Sequence, residues 1–147
     1  MSGKTGKVTW VDGLTFEAES GSGHKIILDG SVEGGGADKG ARPTELVLEA
    51  LAGCTAMDVV SILRKKKQPI EGLEVIATGH QNETYPHYFN TINVEYIAYG
   101  DDVDPEALAR AVELSETKYC AVSATLAGVA KITTTSRVAS ARHKAHA

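Results

Sequence analysis

The stretch from Pro43 to Lys67, PTELVLEALAGCTAMDVVSILRKKK, constrains the fold more than any other part of the chain. It reads as one long helix of about 36 Å at the usual ~1.5 Å rise per residue. Pro43 suits the first turn, where its missing N–H leaves no hydrogen bond unmade. Arg64, Lys65, Lys66 and Lys67 set positive charge on the C-terminal dipole, and Pro69 stops the helix. At about 100° per residue, apolar side chains fall all round the axis. Leu46 and Met57 lie to one side of Cys54, Leu51 and Ile62 to the other, and Leu63 behind. A helix apolar on every side needs cover on every side. Cys54 sits in its middle, among Ala50, Ala52, Gly53 and Ala56.

The rest of the chain must supply that cover. Val8 to Val11 and Leu14 to Ala18 alternate around Asp12-Gly13, a two-residue hairpin signal, and Lys25 to Leu28 is a third strand. A glycine-rich loop, Ser31 to Ala41, then leads into the helix. It lacks the Lys-Ser/Thr ending of a phosphate loop and reads as a mobile flap. After Pro69, Leu73 to Thr78 and Phe89 to Tyr99 are strands, the latter with Ile92, Val94, Tyr96 and Ala98 on one face. Asp104-Pro105-Glu106 starts a helix with an N-cap, a first-turn proline and a first-turn acid. Leu108, Ala111, Val112, Ser115 and Tyr119 line one side of it at helical spacing, with Cys120 at or just past its end. A short helical piece from Ala121 to Ala127 and a threonine-rich strand from Val129 to Val138 complete the chain's regular elements.

Segregated runs of this kind predict an α+β class with largely antiparallel sheets wrapped around the long central helix. The expectation is a single domain over residues 1–147, with its core at about 8–138 and a frayed tail at 139–147 carrying His143 and His146. Two or three hairpins cannot cover a helix apolar all round, so the missing cover points to a second copy and an intertwined homodimer. An apolar content of 42% and a charged content of 23% are those of a soluble globular chain. No apolar run approaches the ~18 residues of a membrane span, and no signal-peptide core follows Met1, so no membrane partner and a cytoplasmic location are expected. A net charge of −4 argues against nucleic acid as a partner. Two cysteines in a reducing compartment suggest inert core residues or a redox pair rather than a structural disulfide.

A cysteine does redox chemistry as thiolate, which needs a neighbouring cation and access to substrate. Cys54 lies too deep in its helix for the N-terminal dipole to help. Asp58, one turn on, would oppose ionisation if it faced the sulfur. Arg42 at the helix entrance is the best-placed cation in sequence, ahead of Lys39 and Arg137. The alternative is that Cys54 is one more small buried side chain. Cys120 is open to the same two readings. His80, Glu83 and His87 match no zinc spacing, so no metal and no cofactor are expected. Tyr85, Tyr88 and Phe89 beside them wall an apolar pocket or pack a strand entry.

Two segments carry a resemblance: Arg42-Pro43-Thr44-Glu45-Leu46 followed by Ala52-Gly53-Cys54-Thr55-Ala56-Met57-Asp58, and Lys118-Tyr119-Cys120-Ala121-Val122-Ser123. Together they resemble the OsmC/Ohr family of osmotically inducible and organic-hydroperoxide-resistance proteins, over about Val8 to Val138. The resemblance implies a dimer in which two sheets wrap two central helices. It also implies a thiol-dependent peroxidase, with Cys54 as the peroxidatic and Cys120 as the resolving cysteine of a Cys54–Cys120 disulfide. The substrate would be an organic hydroperoxide and the reductant a dithiol, often on a lipoylated protein. Arg42 would serve as the activating cation, and Glu45, Tyr85 and Phe89 would line the substrate site. The family's glutamate directly follows the proline, where this chain has Thr44. Glu45 comes one step later, about 180° from Cys54 on an ideal helix. A small-molecule or acyl-binding dimer and a redox-sensing dimer are the other functions this scaffold would support.

Overall fold

The computed structural model describes residues 3–141. Most of the tail expected to fray, including His143 and His146, lies outside those residues. Packing divides the chain into two compact units, with the boundary between Val47 and Leu48. That boundary falls inside the long helix α1, Pro43–Lys65.

In the first unit, β1 (Gly6–Asp12), β2 (Thr15–Ser20) and β3 (Lys25–Leu28) form an antiparallel sheet in chain order. The first turn differs from expectation by one residue. Asp12 stays in β1 opposite Thr15 after a bulge beyond Trp10, and Gly13-Leu14 make the turn. Gly13 takes the left-handed backbone this requires (φ 52°), and the Trp10 indole N–H donates to its carbonyl at 2.9 Å.

The glycine-rich loop is pinned rather than a free flap. Asp29, buried at its base, accepts from the Thr15 hydroxyl (2.8 Å) and from the backbone N–H groups of Gly30 (2.7 Å), Ala37 (3.3 Å) and Lys39 (3.2 Å). The loop thus cradles an anion after all: its own carboxylate. A side chain at Gly36 or Gly40 would strike the backbone of Gly30 or Ile27, so the loop can close this tightly only with glycine there. The first turn of α1 also belongs to this unit. The Arg42 backbone N–H donates to Glu45 Oε1 at 2.9 Å, closing the first turn of α1 as a reciprocal cap does.

The second unit holds the rest of α1, then β4 (Gly72–Gln81), β5 (Phe89–Tyr99), α2 (Pro105–Leu114), α3 (Ala121–Leu126) and β6 (Lys131–Ala139). The sheet order is β4-β5-β6. β4 and β5 pair antiparallel, but β5 and β6 are parallel. The reason is the connection: α2 and α3 carry the chain back to the starting edge, as a parallel pair requires. Asp104 caps α2 as its sequence predicts, its carboxylate accepting the Glu106 N–H at 2.9 Å. Ala139 closes β6, and Ser140 Oγ and the Ala141 N–H donate to Asp101.

Only one stripe of α1 is buried: Leu51, Thr55, Val59 and Leu63, at successive i+4 steps. It joins Ile92, Val94, Tyr96 and Ala98 of β5 and Leu108, Ala111 and Val112 of α2 in one core. The helix stops two residues short of Lys67. Gln68 N–H reaches the Leu63 carbonyl and Lys67 N–H the Arg64 carbonyl, each at 2.9 Å, with Lys67 itself left-handed (φ 57°). By length and composition α1 could cross a bilayer, its mean hydropathy reaching 1.8. This corrects the expectation that no segment approaches that length; the few charges between Pro43 and Ile62 are too sparse to lower its hydropathy.

Candidate active site at the facing thiols

The site lies within the second unit, where α1 meets the end of α2. The uninterrupted helix expected through Tyr119 breaks its geometry at Leu114. Ser115–Tyr119 form a π-helical turn, closed by the Cys120 N–H donating to the Ser115 carbonyl at 2.8 Å. One π turn advances the chain by an extra residue and re-aims the side chains beyond it. Tyr119, expected on the buried face, is instead 53% exposed, while Ser115 and Cys120 point inward. Cys120 then caps α3, its Sγ accepting the Ser123 N–H at 3.3 Å.

This turn brings the two cysteines together. The ligand atoms of Cys54, Cys120 and Asp58 lie within 4.8 Å of one another. Cys54 is half-buried and Cys120 buried, and neither is in a disulfide. Burial, and the hydrogen bond with Cys54, push the Cys120 thiol up to about 11, against the opposing Ser123 N–H. Two sulfurs and a carboxylate in this arrangement could form a disulfide or hold a soft divalent ion. It is the one potential metal-ligating cluster among the described residues, and it is not the His80, Glu83, His87 set considered from sequence.

Behind the thiols runs a chain of buried hydroxyls. Tyr96 OH and Thr55 Oγ1 are 2.7 Å apart, Thr55 Oγ1 and Ser115 Oγ 2.8 Å, and Ser115 Oγ donates to Asp58 Oδ2 at 2.9 Å. A hydroxyl has one proton to give. Ser115 gives its proton to Asp58, so Thr55 donates to Ser115 and Tyr96 to Thr55. The whole chain therefore points at the carboxylate. Burial, only partly offset by the Thr55 bond, pushes Tyr96 up to about 12, so it stays a donor. Sequence reasoning passed over Thr55, Ser115 and Tyr96 as functional residues. The available signal was that each is a hydroxyl in an otherwise apolar stripe.

The other expected site residues have partners of their own. Arg42 is held by Asp38, with Nη1 to Oδ1 at 2.6 Å, and also donates to the Gly40 carbonyl. The hydrogen bond to Asp38 raises its already high pKa. Glu45 is taken up by the cap of α1. Tyr85 is 89% exposed on the β4–β5 loop, its ring 4.2 Å from that of His87. Phe89 packs at the start of β5 against Gly79 and the core. His87 Nδ1 is bonded to the Asn82 carbonyl (2.8 Å).

Fold and site define a class: an α+β chain whose mid-helix thiol faces a second thiol at a helix junction. The sequence model for "OsmC-like protein" matches residues 35–135, and the chain belongs to that family. It is 46% identical over 127 residues to Protein YhfA of Escherichia coli K12, covering 86% of this chain and 92% of that protein. Its fold is similar to that of a hypothetical protein from Aquifex aeolicus VF5, at TM-score 0.84 and 28% identity, covering 95% and 98% of the two chains. It is also similar to that of an organic hydroperoxide resistance protein OsmC from Legionella pneumophila. There the TM-score is 0.69 and the identity 17%, covering 94% and 98% of the two chains.

Proposed function

We propose that the protein is a thiol-dependent peroxidase acting on organic hydroperoxides. The observation that carries this reading is the approach of the Cys54 and Cys120 sulfurs within 4.8 Å. Cys54 thiolate attacks the distal peroxide oxygen; the O–O bond breaks, the alcohol leaves with a proton, and Cys54 becomes a sulfenic acid. Cys120 condenses with it to a disulfide, releasing water. An external dithiol, such as that of a lipoylated protein, then restores both thiols by exchange. Cys54, half-buried, is the more accessible sulfur and takes the peroxide; buried Cys120 takes the resolving role. Membership of a family with organic-hydroperoxide-resistance relatives supports the substrate class. Arg42 is the candidate for the activating charge.

The working form is a homodimer in which each chain contributes one OsmC-like domain. Supporting this, Trp10 is 65% exposed on the first sheet, beside exposed Val8 and Val11, and Met57 is 76% exposed on α1. A single chain leaves that much apolar surface bare only when something covers it.

Single-turnover mixing with cumene hydroperoxide and a dithiol tests the chemistry. Cys54→Ser should abolish peroxide consumption. Cys120→Ser should consume one equivalent and leave a sulfenic acid trappable at Cys54. Equal consumption by the wild type and Cys54→Ser would overturn the assignment. A disulfide that forms without peroxide turnover would favour a redox-sensing dimer.

A further inference from the structure

The peroxidase reading leaves one proton unaccounted for. When Cys120 attacks the Cys54 sulfenic acid, the Cys120 S–H bond must break and the departing hydroxyl must be protonated to leave as water. Direct ionisation cannot supply this step quickly. Cys120 is buried, and burial disfavours its thiolate. A base is needed beside both sulfurs.

We propose that Asp58 is the proton carrier of disulfide formation. This rests on the peroxidase reading. Its carboxylate lies within 4.8 Å of both sulfurs, so a single group can reach the proton's source and its destination. It accepts the Cys120 proton as sulfur attacks sulfur, and passes it to the hydroxyl whose bond to the Cys54 sulfur is breaking. The products are a disulfide, one water and a carboxylate returned to its starting state. No oxidant beyond the peroxide already used is required.

The hydroxyl chain explains how the carboxylate is held for this. Ser115 donates to Oδ2, and its direction is fixed by Thr55 and Tyr96 behind it. A donor at one oxygen orients the carboxylate and leaves the other free to accept; no second hydrogen bond and no ion pair to Asp58 occur among the described residues. A basic side chain clamped to Asp58 would have blunted it as a base. Lys65 and Lys66 border the same cleft, of about 380 Å³, without pairing with it. The groups around the site are thus Cys54 and Lys65 from α1, Lys66 just past its end, Tyr96 from β5, and Glu116, Tyr119 and Cys120 from the π turn and its end.

The test tracks disulfide formation after one equivalent of cumene hydroperoxide, by alkylation and mass, with the sulfenic acid trapped by dimedone in parallel. In the wild type the condensation rate should be flat from pH 6 to 9. Asp58→Asn, which keeps the Ser115 hydrogen bond, should still form sulfenic acid but condense about 100-fold more slowly at pH 7. Its rate should climb about tenfold per pH unit as direct ionisation of Cys120 takes over. Ser115→Ala should give a smaller slowing, with the flat profile retained. Condensation in Asp58→Asn at the wild-type rate and with a flat profile would overturn the proposal. So would a wild-type rate that itself rises tenfold per unit, a measurement that stands even if the Asn variant fails to fold. Absence of sulfenic acid in the wild type would instead bring down the peroxidase reading, and this inference with it.

Discussion

Three hydroxyls stand where three apolar stripes would otherwise carry aliphatic side chains: Thr55 on α1, Tyr96 on β5 and Ser115 at the end of α2. A buried hydroxyl without a partner costs about 1–3 kcal/mol, so each stripe is bound to the others by need as well as by packing. Among the described residues no buried side-chain nitrogen or oxygen lacks a partner. Asp29 shows the same logic with a charge. Burial works against its ionisation, but the bonds from Thr15, Gly30, Ala37 and Lys39 prevail and hold it at about 2, below its ordinary 3.8. A folded-state value lower than the unfolded one means stability that is fully present above about pH 4 and lost as pH falls towards 2. Urea midpoints across that window should fall for the wild type and change much less for Asp29→Asn. Parallel slopes would show that the carboxylate does not hold the loop.

At the scale of elements, the π turn at Ser115–Tyr119 matters most to the site. Its residues, SETKY, continue a helical pattern without a break, so nothing local announces it. It persists because three contacts demand it together: Ser115 on Thr55 and Asp58, and Cys120 facing Cys54. The end of α1 carries a local conflict of the opposite kind. Lys67 occupies the left-handed position that helices usually give to glycine. A side chain there costs about 1–2 kcal/mol, partly offset by glycine's greater freedom when unfolded. Lys67→Gly should therefore raise stability by about 0.5–1 kcal/mol, seen as a rise in Tm. An unchanged or lower Tm would mean the lysine makes a compensating contact.

For the whole molecule, the question is what covers α1. Of its apolar positions only the Leu51, Val59 and Leu63 stripe is fully buried, while Met57, Ala56 and Val60 border an open hollow of about 580 Å³ with Leu73. A dimer filling such surfaces would bury more than about 2,000 Å² in total, the range of permanent interfaces. Sedimentation at micromolar concentration should give a dimer for the wild type. Met57→Glu, which puts a charge into the hollow, should shift the protein towards monomer without unfolding it. A well-folded wild-type monomer would sink this reading.

Much of the fold was legible in the chain itself, because it rests on local chemistry. The long helix from Pro43, the Asp104 cap, the alternation of Ile92, Val94, Tyr96 and Ala98 and the β5 boundaries all stem from periodicity and turn residues read over a few positions. The cysteine pair was legible as a pair of residue types at marked places in two helices. The features that only the tertiary structure decided have partners far apart in sequence. The parallel β5–β6 pairing depends on where the α2–α3 connection returns. The π turn depends on contacts between residues some 60 positions apart. The meeting of Asp58 with both sulfurs is of the same kind: a side chain's direction in space is the sum of every turn between it and its partner. A single extra residue in one helical turn was enough to set it.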